Sequence, residues 1–134
     1  MNLFELLTHK PIDIDGVATY LDGLDKDGDA QLMRLELTTS SPEPKYTGNY
    51  TWTLSVFDVE ENPIAGAEVI AEPTMPAHGH GTFPKVTLGD EVEPGRYELV
   101  DMDLFMPGLW RISVEVRWGS DSVDTSHFEF DLQG

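Results

Sequence analysis

The sequence predicts an all-β protein: an immunoglobulin-like antiparallel β-sandwich of about seven strands over residues 31–134, preceded by a short N-terminal extension, residues 1–30. Three observations carry that expectation. From residue 31 onward apolar residues recur with a period of two. The periodic stretches are rich in Val, Ile, Trp, Tyr and Phe, side chains that suit a pleated surface with one buried face. Clusters of Gly, Pro, Asn and Asp separate them at strand-length intervals. A closed barrel is the alternative for the same pattern. With 134 residues the chain makes one domain with a real core.

In chain order, Leu3, Phe4, Leu6 and Leu7 recur at helical spacing, which predicts two helical turns over residues 2–9, ended by Pro11. "DGVATYLDGL" reads as a second short helix or an irregular arm. "QLMRLELT" is the first expected strand. In "YTWTLSVF" the residues Tyr50, Trp52, Leu54 and Val56 alternate with Thr51, Thr53 and Ser55. "AEVIAE", "FPKVTL" and "RYELVDM" supply three more strands. In "WRISVEVRW" Trp110, Ile112, Val114, Val116 and Trp118 alternate with polar residues, and Phe128, Phe130 and Leu132 do so near the C-terminus. The inward Trp and Tyr residues are expected in the core.

Composition narrows the function. Eight basic against twenty-five acidic residues give a formal charge of −17. That field opposes nucleic acid, whose binding depends on Lys and Arg displacing counterions, and opposes anionic lipid, while it draws cations. Cysteine is absent, so disulfides, thiolate nucleophiles and Cys-rich zinc sites are excluded and thioethers are the soft ligands on offer. The opening "MNLFELLTHK" does not read as a signal peptide, and no stretch is long and apolar enough to span a bilayer as a helix. The expected compartment is therefore the cell envelope or periplasm if an export segment precedes the chain, and the cytoplasm otherwise. Any membrane contact would be made through such a missing anchor.

"TMPAHGHGTF", residues 74–83, concentrates metal-binding side chains. His78 and His80 stand two apart, so an extended or turning backbone can point both rings to one side, and Met75 is near enough to join them. "DMDLFMPGLW" offers a second Met-Pro pair at Met106. Thioethers select Cu(I) and imidazole accepts copper, so two Met with two His favour copper in its reduced state. If successive strands reverse, the loops at residues 73–82 and 103–108 fall at one end of the sandwich, provided "FPKVTL" is a strand. Met102, Asp101 and Asp103 lie beside the second loop and offer a third thioether or a harder ligand. His9, in the N-terminal arm, and His127, on the polar face of the last strand, stay outside the set.

"GAEVIAEPTMPAHGHG", followed by "GRYELVDMDLFMPGLWRISVEV", resembles the YtkA-like and FixH-like domains, in which an M-P-x-H-G-H-G segment precedes a G-x-Y segment and an M-P-G-x-W strand. The similarity covers roughly residues 45–118. It implies a small β-sandwich at the bacterial cell envelope, engaged in copper handling or in the assembly of copper-containing respiratory oxidases. Carried over by position, Met75, His78, His80 and Met106 are the expected copper ligands. The implied partner is a protein that donates or accepts copper.

A second cation site is suggested by "DKDGDAQLMRLE". Asp25, Asp27 and Asp29, the carbonyl of Gln31 and the acid Glu36 match the calcium loop of EF-hands. Ala30 stands where that loop has its turning Gly, and a strand pattern replaces the exit helix. The same parity puts this loop at the end away from the histidines. For catalysis, no Ser-His-Asp grouping, phosphate loop or G-x-S-x-G elbow is legible. A zinc hydrolase built on His78, His80 and Asp101 or Asp103 ranks low, because thioethers serve that chemistry poorly. The expectation is a non-enzymatic copper carrier. Its rival is a non-enzymatic, immunoglobulin-like interaction or scaffold module, with calcium as a stabilising ion.

Overall fold

A computed structural model of the protein describes residues 24–78 and 86–134, apart from the side chain of His78. Among the described residues the chain runs through nine strands: β1 (Asp25–Asp27), β2 (Met33–Ser41), β3 (Gly48–Asp58), β4 (Glu68–Thr74), β5 (Thr87–Leu88), β6 (Asp90–Glu93), β7 (Arg96–Leu104), β8 (Gly108–Trp118) and β9 (Ser122–Leu132). One turn of 3-10 helix, Pro76–His78, follows β4. The strands form two antiparallel sheets, β1-β2-β3-β7-β6 and β5-β4-β8-β9. The expected all-β sandwich is therefore present, as two sheets and not a closed barrel.

The period of two does what it predicts. Tyr50, Trp52, Leu54 and Val56 of β3 are buried, as are Trp110, Ile112, Val114 and Val116 of β8 and Phe128, Phe130 and Leu132 of β9. Trp52 stands edge-on to Phe128 and Phe130, with ring centroids 5.5 and 5.4 Å away, and so joins the inner faces of the two sheets. In β7 the period slips. Tyr50 pairs with Met102 but Trp52 pairs with Leu99, so β7 carries an extra residue at Val100–Asp101. Asp101 takes a left-handed φ of 58° there, which lets Met102 and Leu104 return to the core face.

Two boundaries differ from the expectation. β1 already belongs to the first sheet, so the sandwich begins before residue 31 and the last residues assigned to the extension are part of it. Three residues, two of them acidic, offer no alternation from which to recognise a strand. The helix expected over residues 2–9 lies outside the described residues. Of "FPKVTL", Phe83 to Lys85 also lie outside them, and Thr87–Leu88 is strand. β6 has no counterpart in the prediction because all four of its residues are exposed.

β5 and β6 are separated only by Gly89, where the chain passes from one sheet to the other. Its N–H donates to the Val69 carbonyl at 2.8 Å, and a Cβ there would sit 3.1 Å from the Val69 Cβ. A residue without a side chain fits this close approach. The pair acts as one strand in direction, which preserves the parity on which the meeting of the two Met-Pro segments depends.

Candidate metal centre

β4 and β8 run antiparallel in register from Glu68 opposite Arg117 to Thr74 opposite Arg111. The residues that leave β4 therefore emerge beside those that enter β8. Met75 follows β4 directly, and its Cε lies 3.1 Å from where a Cβ on Gly108 would stand. Gly108 has a φ of +128°, a backbone region open essentially to glycine. The second Met-Pro segment is tied by its own neighbour. The Trp110 indole N–H donates to the Met106 carbonyl at 2.8 Å, and the Phe105 ring stands edge-on to Trp110 at 5.9 Å. The fold thus brings Met75 and the Met106–Gly108 segment to one end of the sandwich.

Burial divides the two thioethers. Met75 is 4% exposed and belongs to the core, whereas Met106 is half-buried and packs against it. Both therefore help to close the end of the sandwich. Around them Pro76, Ala77, Phe105 and Pro107 are exposed. The backbone of His78 ends the 3-10 turn, its side chain is not described, and His80 lies outside the described residues. Met102, considered as a third thioether, is 1% exposed inside the core. Asp101 accepts a hydrogen bond from the Asn49 side chain at 3.2 Å. Among the described residues no group of three or more His, Asp or Glu is placed to hold a metal ion.

The acidic stretch forms a hairpin, unlike an EF-hand loop. Asp25 pairs with Glu36 and Asp27 with Arg34 across β1 and β2, and Gln31 takes a left-handed φ of 59° in the turn. Arg34 meets the carboxylates of Asp25 at 2.8 Å, Glu36 at 3.4 Å and Glu61 at 3.0 Å, and lies 4.4 Å above the Phe57 ring. Partial burial opposes its charge, but the hydrogen bonds it donates to Glu61 and Asp25 outweigh that, and the guanidinium is held protonated more firmly than usual. Asp29 instead meets His127 Nε2 at 2.9 Å. Two of the matched acids thus share an internal guanidinium, and a third turns to a histidine.

Two features of this far end were not legible as motifs. Asp124, 3% exposed, accepts from the backbone N–H of Ala30 at 2.8 Å and of Leu32 at 2.9 Å, and so fastens the β1–β2 turn to β9. The second is a chain of side chains: Ser113 Oγ lies 2.9 Å from His127 Nδ1, and the other ring nitrogen meets Asp29. A groove of about 310 Å³ opens alongside, between Lys26, Asp27 and Asp29 on the hairpin and Arg111, His127 and Glu129 on the second sheet. The Ser113–His127–Asp29 chain ties the hairpin to the second sheet. Asp124 and His127 reach partners in the hairpin more than 90 residues away, which leaves no spacing to read.

A small two-sheet sandwich with paired Met-Pro segments at one end is the class of domain that fold and site define. The chain belongs to the YtkA-like family, whose model matches residues 29–115. No curated protein and no solved structure matches it.

Proposed function

We propose that this YtkA-like domain is a non-enzymatic copper carrier that holds Cu(I) through Met75, His78, His80 and Met106. The observation that carries the reading is the β4–β8 register, which sets the residues after Thr74 beside Gly108 and so joins two segments that each bring a methionine. Soft thioethers with imidazoles suit a soft monovalent ion. Such ligands can be exchanged for those of a second protein, so a carrier that receives or hands on copper at the cell envelope is the role that fits. The charge of −17 favours the approach of cations over phosphate-bearing partners.

The test is a Cu(I) titration against a competing chelator under reducing conditions. One ion per chain is expected, with binding abolished when both histidines and both Met-Pro methionines are replaced. Protons compete for imidazole, so affinity should fall below about pH 6. A flat affinity between pH 5 and 7 would count against histidine ligation. The second reading, an interaction module, draws on the burial of Met75, which gives that side chain a packing role with or without metal. Unchanged Cu(I) binding in the fourfold variant would favour it.

A further inference from the structure

Neither Gly108 nor Trp110 offers a metal donor of its own in the proposed set, yet each fixes one of the two thioether segments. We infer that Gly108 and Trp110 are positioning residues for the methionine pair, setting Met75 and Met106 together before a metal ion arrives and thereby favouring soft monovalent ions. The inference rests on the copper reading and adds what arranges its sulfur ligands.

Trp110 is 5% exposed and sits at the start of β8, where its indole is packed into the end of the core. Its N–H reaches back four residues to the Met106 carbonyl, closing the Met-Pro-Gly turn. With the N–H occupied in this way, the indole holds the backbone of the turn at Met106. Gly108 acts on the other thioether. A methyl group there would press on Met75 Cε at 3.1 Å, tighter than ordinary van der Waals contact, and would also strain the backbone at φ +128°. The missing side chain is what lets the Met75 thioether lie against the second segment. A preset ligand pair spares the ordering cost that binding otherwise carries, which strengthens affinity without an added contact.

The experiment follows the five methionine methyl groups by NMR after ¹³C labelling, during titration with Cu(I) and, separately, with Zn(II). Met33 and Met102, 2% and 1% exposed, report on the core. In the unmodified chain Cu(I) should move the Met75 and Met106 methyls and leave those two in place, while Zn(II) should not engage the thioethers. Trp110→Phe keeps the ring but removes the donor. It should weaken Cu(I) binding about tenfold, the worth of one hydrogen bond, and diminish the Met106 response while that of Met75 persists. Gly108→Ala should shift the Met75 methyl before any metal is added.

Cu(I) binding of Trp110→Phe within about twofold of the original, with both methyl responses intact, overturns the inference and leaves the copper reading standing. So does a variant whose Met33 and Met102 methyls move along with a loss of thermal stability, since that marks general loosening of the core. No response of any methionine in the unmodified chain removes the copper reading and this inference together.

Discussion

The two ends of the sandwich are closed by different chemistry. At the far end, polar side chains reach backbone groups. Asp124 holds the β1–β2 turn, and Asp58 accepts from the N–H of Glu60 and Asn62. The Tyr97 hydroxyl donates to the Ile64 carbonyl and accepts from the Ala67 N–H, while Glu91 takes the N–H groups of Gly66 and Gly95. At the Met-Pro end the Tyr50 hydroxyl also meets backbone carbonyls, those of Glu43 and Tyr46, but thioethers join the closure, with Met75 in the core, Met106 against it, and the indole of Trp110 tying the turn. Directional bonds make the far end a fixed frame. The other end adds two thioethers, Met75 in the core and Met106 packed against it.

The largest expected effect comes from removing the buried acceptor of the far end. Asp124→Ala removes the buried carboxylate that accepts from the N–H groups of Ala30 and Leu32, two charge-assisted bonds, and should cost about 3 kcal/mol, read as a lower urea midpoint. Cu(I) binding by the folded fraction should be unchanged. A loss of affinity there would mean that the two ends are coupled and break the contrast. Tyr97→Phe removes one hydroxyl that makes two hydrogen bonds, and about 1.5 kcal/mol should be lost in the same assay, again with no effect on metal.

Met75→Leu sharpens the comparison from the other side. Leucine nearly conserves the volume of methionine, so the cost in stability should stay under about 1.5 kcal/mol. The thioether is gone, however, and Cu(I) affinity should drop at least about tenfold. An unchanged affinity would assign Met75 to packing alone.

What could be read in advance follows the range of the interactions. The alternation in β3, β8 and β9 was legible because burial of one face imposes a period of two on neighbouring residues. The meeting of the Met-Pro segments was legible too, through strand parity, although the parity needed Gly89 to carry one strand from sheet to sheet. β1 and β6 were not legible, since these short edge strands, rich in acids and without a fully buried residue, bury no face that would impose a pattern. Asp25, Asp27, Asp29 and Glu36 have the spacing of an ion loop, but spacing is silent about Arg34, which takes the carboxylate of Asp25 across the hairpin and that of Glu36 on its own strand. Asp124 and the Ser113–His127–Asp29 chain depend on contacts between remote segments, and no local composition announces them.

The smallest effect is one of pH, and it again separates the ends. The N–H of Gly95, then that of Gly66, favours the ionised form of Glu91 and lowers its pKa below the ordinary 4.5, with desolvation opposing and the Tyr97 hydroxyl assisting. The folded state therefore releases this proton more readily than the unfolded chain. Its contribution to stability is present above about pH 4.5 and is lost as pH falls through the lowered folded value. Glu91→Gln should flatten that part of the stability profile between about pH 5 and 3 while leaving stability near neutrality only slightly reduced, because the carboxylate is exposed to solvent. Urea midpoints measured across this range would show it. A profile as steep in Glu91→Gln as in the original chain would mean that Glu91 does not carry this acid sensitivity.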